Sequence, residues 1–318
     1  MASLTGRAFC VIARLAGNVN PIVVEKKHKN VVKDLRSMEP LFRHYFPPIG
    51  YSFEKTDAGG VPAEVFRKKK NPSDNVVLVI HGGAYVSRMM FYYRLLNKRY
   101  SKASGGGTVV HFDYRCAPEH IYPAALEDTL AVWDWLLSQG VKPENIVTVG
   151  DSAGGHLTVD LWMKLREQGR ELPHASVLMS PWLDMTAGGA SYVDNYGVDP
   201  VFGIKGATIT REEVKALLMK SELYMWLGDN DRTDPYISPV LNEFDGQYPP
   251  TFVTVGGDEM LFSDAQTLVE KLKNAGVEAT LFVGDKMMHA YPVYQIFPEA
   301  RQALKAICGF IRGQYGLD

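Results

Sequence analysis

The sequence predicts an α/β protein: an eight-stranded, mostly parallel sheet flanked by helices, with a helical cap. Three observations predict it. Short apolar runs rich in β-branched residues recur along the chain, and Val76-Val77-Leu78-Val79-Ile80 is the clearest of them. A continuous run of this kind fits a strand buried on both faces. Helix-length segments separate the runs, which implies parallel strands joined by right-handed crossovers. Two further stretches, 1–48 and 185–233, interrupt the alternation and have no place in the sheet.

Residues 1–48 read as helical. Their apolar stretch from Ala8 to Ala16 is broken by Arg14 and has no good cleavage site after it, so it reads as an amphipathic helix rather than a leader peptide. Tyr51–Glu54 and Ala63–Phe66 read as an opening hairpin. Arg67-Lys68-Lys69-Lys70 runs into the turn signal Asn71-Pro72-Ser73-Asp74, which fits a solvated hairpin tip. After the strand Val76–Ile80 come a helix over Phe91–Ala103, a strand over Thr108–Phe112 and a helix over Pro123–Ser138. A strand over Ile146–Val149, a helix over Gly155–Gln168 and a strand over Ala175–Met179 come next. The stretch 185–233 then holds a loop rich in Gly and Asp, the capping-box pattern Thr210-Arg211-Glu212-Glu213 and an amphipathic Val214–Met219. Strands over Thr251–Val255 and Ala279–Val283 enclose a helix over Ser263–Asn274, and a helix over Tyr294–Arg312 closes the chain. Long insertions at the carboxyl ends of parallel strands usually cover or shape a site. The expected division is therefore 1–48 as the N-terminal part of a cap, 49–184 as the first part of a catalytic domain, 185–233 as a cap insertion and 234–318 as the second part of the catalytic domain.

Composition narrows the function classes. The chain has 318 residues, 46% of them hydrophobic, enough for a large core. A net charge of −2 gives no electrostatic footprint for nucleic acid, and the basic run Lys26-Lys27-His28-Lys29 is short. Cys10, Cys116 and Cys308 are few, odd in number and far apart, which favours a reducing compartment and a cytoplasmic location. No stretch is long and apolar enough to span a membrane.

Chemistry concentrates in two glycine motifs. Gly150-Asp151-Ser152-Ala153-Gly154 fits G-x-S-x-G between a strand and a helix. There it forms a sharp elbow that exposes the serine oxygen, with the Ala153 N–H aimed at a bound carbonyl. His81-Gly82-Gly83-Ala84 follows a buried strand, and bare glycines there let backbone N–H groups approach an oxyanion. Gly82, Gly83 and Ala153 are the expected donors. A serine needs a base. Of the eight histidines, His28, His44 and His174 fall in cap or surface segments. His81 and His111 belong to strands, His156 to the helix behind Ser152, and His120 to a charged loop. His289, between the last strand and the last helix, remains, and it satisfies the chain order serine, acid, histidine. The acid should follow Thr251–Val255, where Asp258 and Glu259 stand side by side. Met89, Met90 and Tyr92 follow the oxyanion loop, and either pocket lining or ordinary helix packing accounts for them.

The sequence resembles the hormone-sensitive-lipase-like branch of the α/β-hydrolases, the bacterial family IV carboxylesterases. The residues that carry the resemblance are His81 to Ala84, Asp113-Tyr114-Arg115-Cys116-Ala117-Pro118-Glu119, Tyr122-Pro123-Ala124-Ala125, Gly150 to Gly154, Ser180-Pro181-Trp182-Leu183-Asp184 and Asp234-Pro235-Tyr236-Ile237-Ser238-Pro239. The resemblance implies the α/β-hydrolase fold with a cap and a Ser152–His289 pair. It favours Glu259 over Asp258 as the acid, because the family keeps the separation of thirty between acid and histidine (289 − 259). Ala84 stands where the family usually has a third glycine. The implied activity is hydrolysis of short-to-medium acyl esters of small molecules through an acyl-enzyme, with no metal and no organic cofactor. An amidase or deacetylase using the same groups is the alternative. A catalytically silent receptor on this fold would be expected to lack the base, and His289 is present. A homodimer is left open.

Overall fold

The computed structural model describes residues 2–16, 18–26, 30, 32–33, 36 and 45–317. The rest of the N-terminal stretch, His28 and His44 included, lies outside the described residues. The strands are β1 (Tyr51–Asp57), β2 (Pro62–Lys68), β3 (Val76–Ile80), β4 (Thr108–Phe112), β5 (Ile146–Asp151), β6 (Ala175–Met179), β7 (Thr251–Gly256) and β8 (Ala279–Gly284). They form one sheet in the order β1-β2-β4-β3-β5-β6-β7-β8. β1 and β2 pair antiparallel, as do β2 and β4, and the other neighbours run parallel. The hairpin strands outrun the expected spans because polar residues on their outer face pair as readily as the apolar ones.

The helices are α1 (Leu4–Ala16), α2 (Pro21–Lys26), α3 (Asn97–Ala103), α4 (Ala124–Ser138), α5 (Ala153–Glu167), α6 (Ser191–Asp194), α7 (Arg211–Met219), α8 (Phe262–Asn274) and α9 (Pro298–Gln314). Side chains alternate across a strand, so those of β3 divide between two layers. Val76, Leu78 and Ile80 join the core with Val132 and Trp133 of α4 and Leu157 and Leu161 of α5. Val77 and Val79 face the opposite layer, with Tyr100 of α3 and Leu304, Ile307 and Ile311 of α9. The continuous apolar run is thus a strand covered on both faces.

Two helices depart from expectation. Phe91–Leu95 is a 3₁₀ turn, and only Asn97–Ala103 is α-helical. Within that turn Tyr93 is anchored on Asp151 and Arg94 forks onto Glu64. The closing helix starts at Pro298, not Tyr294. Proline suits the first helical position and drives the residue before it out of helical conformation; Phe297 has φ −120° and ψ 160°. The capping box at Thr210 forms as expected, with each partner's side chain accepting the other's N–H.

Residues 185–233 contribute α6, α7 and a 3₁₀ turn at Glu222–Leu227. Their Tyr192, Tyr196, Val214, Leu218 and Trp226 join the core on the α4–α5 side. The described N-terminal residues are knitted onto the same stretch. Asn18 Nδ2 donates to the carbonyls of Pro200 and Gly203, and Asn20 Nδ2 to that of Phe202.

β3 and β5 lie side by side with Ile80 opposite Gly150, so the loops after them emerge together. Their backbones nearly touch. A Cβ on Gly154 would lie 2.0 Å from the Ile80 carbonyl oxygen, and one on Gly150 2.3 Å from that of Gly154. Gly154→Ala should therefore cost about 3 kcal/mol or more, the upper range for overpacking, because only backbone can yield. Urea unfolding would show a lower midpoint, and an unchanged midpoint would count against this contact.

Candidate active site

Ser152 sits between β5 and α5 with φ 53° and ψ −118°, a strained conformation for a residue with a Cβ. Its backbone is fixed on both sides. The N–H donates to Met179 O at 2.9 Å, and the carbonyl accepts from His156 at 3.1 Å and Trp182 at 3.2 Å. The first N–H groups of a helix have no intrahelical partner, and that of Ala153 has none among the described residues.

The oxyanion loop differs from expectation. The Gly82 N–H donates to Asp151 Oδ1 at 3.0 Å and lies 2.8 Å from the Tyr93 hydroxyl. That hydroxyl itself donates to Asp151 at 2.8 Å. Gly82 therefore has no donor to spare. Its bareness serves the approach to Asp151, since a Cβ would meet Oδ2 at 2.4 Å. The N–H groups of Gly83 and Ala84 have no partner among the described residues, and Ala84 lines a cavity together with Ser152. The expected set of Gly82, Gly83 and Ala153 thus has its Gly82 N–H engaged, and the unengaged N–H groups of these loops are those of Gly83, Ala84 and Ala153. Ala84 holds φ 52°, a conformation that favours glycine. Burial pushes the Asp151 carboxyl up to about 6, against the Tyr93 hydroxyl, the charge of His289 and the Gly82 N–H.

His289 Nδ1 lies 3.0 Å from Glu259 Oε2. Glu259 is fully buried, and its other oxygen accepts from Ser180 Oγ at 2.6 Å and from Gly256 N at 2.5 Å. Ser180 Oγ in turn accepts the Ala290 N–H at 3.0 Å. Asp258 is half-buried and looks elsewhere: burial raises its pKa, Lys286 and Arg14 lower it, and Asp285 raises it. Burial opposes the charged form of His289, but the hydrogen bond and charge of Glu259 outweigh it, with Asp199 and Asp151 behind, so the imidazole lies above its ordinary value.

Three residues take roles here that the sequence does not announce. Ser180 lies in a family-like motif, but only the fold shows that its hydroxyl joins Glu259 to the histidine loop. Asp199 accepts the N–H groups of Val201 at 2.7 Å, Phe202 at 3.0 Å and Met260 at 2.7 Å. It thereby holds Phe202, whose ring stands 5.0 Å from that of His289. No local pattern marks either Asp199 or Phe202.

The cavity beside Ser152 is walled by Trp182, Tyr192, Phe202, Tyr224 and Leu218. Met89, Met90 and Tyr92 are not among its lining residues. They are half-buried against the core on the α3–α9 face of the sheet, with Tyr93 and Tyr100, so the packing alternative holds for them. His81, His111 and His174 have structural surroundings. His81 stacks on Tyr114 at 4.1 Å, His174 Nε2 bonds Gln314 O at 2.7 Å, and burial pushes His111 down to about 3. Among the described residues no group of three or more His, Cys, Asp and Glu could hold a metal ion, and no helix is long and apolar enough to cross a membrane.

Residues 77–293 match the family model described as alpha/beta hydrolase fold. A crystal structure of an esterase from the bacterial hormone-sensitive lipase family superposes with a TM-score of 0.81 at 34% identity, over 99% of this chain and 100% of that one. This chain belongs to the hormone-sensitive-lipase family of α/β-hydrolases. A hormone-sensitive lipase from a metagenome library gives a TM-score of 0.80 at 29% identity, over 99% of this chain and 100% of its own. An esterase of Acinetobacter venetianus is 32% identical over 245 residues, 76% of either chain. An acetyl-hydrolase of Streptomyces hygroscopicus matches at the same identity, length and coverage. As a member of this family the protein is a carboxylic-ester hydrolase.

The two acidic neighbours of the hydrolase separate in a titration. Glu259→Gln removes the partner that raises His289 and leaves its burial, so the imidazole should titrate below ~6.5, its unperturbed value. Asp258→Asn should move it by less than about half a unit, since that carboxylate does not touch the ring. NMR titration of the His289 ring reads both variants, and the reverse ranking would make Asp258 the partner.

Proposed function

We propose that this hydrolase cleaves short-to-medium acyl esters of small molecules through a serine acyl-enzyme. Ser152 is the nucleophile, His289 the base and then the acid, and Glu259 the group that orients the imidazole. The observation that carries this reading is the bond from buried Glu259 to His289 Nδ1 at 3.0 Å. It commits Nδ1 and leaves Nε2 to exchange a proton with the serine. In the first half-reaction His289 takes the hydroxyl proton as Ser152 attacks the ester carbonyl. The negative charge that develops on the carbonyl oxygen meets the free N–H groups of Gly83, Ala84 and Ala153. Collapse expels the alcohol, which receives the proton from His289. Water then repeats the sequence on the acyl-serine. The stretch 185–233, with the N-terminal residues bound to it, acts as a cap that supplies the aromatic wall of the pocket.

Ser152→Ala tests the reading. The variant should fold as the parent does and lose nearly all turnover of p-nitrophenyl butyrate, keeping only the roughly 10³-fold that an oxyanion hole alone provides. More than about a tenth of the parental kcat would remove Ser152 from the role.

Rings enclose the pocket, so acyl length should matter. Each methylene that finds apolar wall adds about 0.8 kcal/mol until the space ends. Across a series of p-nitrophenyl esters kcat/KM should climb from acetate, turn before about ten carbons and then fall. A rise continuing to palmitate would contradict a closed pocket.

A further inference from the structure

Behind the oxyanion loop lies a second, smaller cavity, lined by Tyr85, Trp226 and Asp160 among others. Tyr85 Oη, Trp226 Nε1, Asp160 Oδ1 and the adjacent His156 Nδ1 are all buried and have no hydrogen-bond partner among the described residues. Three of these atoms belong to residues that line the cavity, and such atoms are costly to leave unpaired. Their chemistry is complementary. Tyr85 and Trp226 offer an O–H and an N–H. His156 Nε2 lies 3.0 Å from the Tyr236 carbonyl and 3.4 Å from Asp160 Oδ2, both acceptors, so that nitrogen carries a proton and its ring is held against Asp160. Asp160 Oδ1 is the acceptor. Arg115, also on the cavity wall, is held by Asp128 and Glu127 and does not compete.

Two donors and a carboxylate oxygen on the wall of one small cavity suit a water molecule, which accepts from the first two and donates to the third. An anion would meet Asp160, and a cation would meet the O–H and N–H hydrogens. The space is also on the order of a single water. We propose that this cavity holds a structural water that ties Tyr85 to Asp160 and thereby fixes the two halves of the oxyanion hole against each other. Tyr85 directly follows Ala84, and both hold positive φ, 61° and 52°. Asp160 and His156 lie on α5, the helix whose first residue is Ala153. The tyrosine ring is clamped already, stacked on Trp226 at 4.0 Å. The water adds the polar link from the loop that carries Ala84 to the helix that carries Ala153. Tyr85 and Asp160 are then positioning residues, and the inference rests on the oxyanion set assigned above.

A high-resolution crystal structure of the protein should show an ordered water about 2.7–3.2 Å from both Tyr85 Oη and Asp160. This is read without any activity, so its failure is distinct from a failure of the Ser152 assignment. Tyr85→Phe keeps the ring and removes the hydroxyl. It should lower kcat about tenfold with KM within about twofold, less than the loss of a whole oxyanion donor. Affinity for an alkyl boronic acid, whose tetrahedral adduct occupies the oxyanion hole, should fall in step. Asp160→Leu should act alike, and Asp160→Asn, which keeps an acceptor, should restore near-parental kcat. A purely structural role would lower the unfolding midpoint and leave kcat and boronate affinity untouched. That result, a dry cavity, or an Asp160→Asn loss as large as that of Asp160→Leu would overturn the proposal.

Discussion

The Asp151 carboxylate joins the two loops on which the active site is built. One loop continues β3 and the other continues β5, and each holds residues in conformations that a Cβ disfavours: Ala84, Tyr85 and Ser152. Strain of that kind costs about 1–3 kcal/mol per residue. A hydrogen bond to a charged acceptor contributes about 1.5–3 kcal/mol. Asp151 accepts from both Gly82 and Tyr93, so its contribution is of the same order as the strain it must hold. The contact also decides which donors remain. By engaging Gly82 it turns the loop so that Gly83 and Ala84 keep free N–H groups beside Ser152.

Glu259 and His289 are joined through a similarly small set of groups. Glu259 divides its oxygens, one to His289 and the other to Ser180 and Gly256. Ser180 passes the link on to Ala290, the residue after the histidine. Side-chain length separates Glu259 from Asp258 less than placement does. Glu259 lies inside the protein, where no solvent screens its charge on the imidazole. Asp258 lies partly in solvent among Lys286, Asp285 and Arg14.

The inner parallel strands were legible in the sequence because β-branched apolar runs are what a doubly covered strand requires, while the β1–β2 hairpin shows instead as an alternation of apolar and polar residues. Ser152 and His289 stand out in the sequence because glycine spacing and chain order are local properties. Asp258 and Glu259 could not be separated by residue type, being adjacent carboxylates at one strand end. The engagement of the Gly82 N–H is not legible locally, because it depends on a side chain 69 positions away. Met89, Met90 and Tyr92 announce burial, but nothing local says which face of the sheet buries them. Phe202 was invisible for a related reason, since its place against His289 is set by Asp199 and by Asn20.

That last connection reaches further than the chemistry. Asn18 and Asn20 grip the backbone of residues 200–203, the turn that presents Phe202 to His289. The pocket wall at Phe202 is therefore braced by a residue 182 positions away in sequence. The two stretches behave as one module. A chimera that imports residues 185–233 from a relative without that relative's own N-terminal stretch would bring the aromatic wall and leave its strut behind.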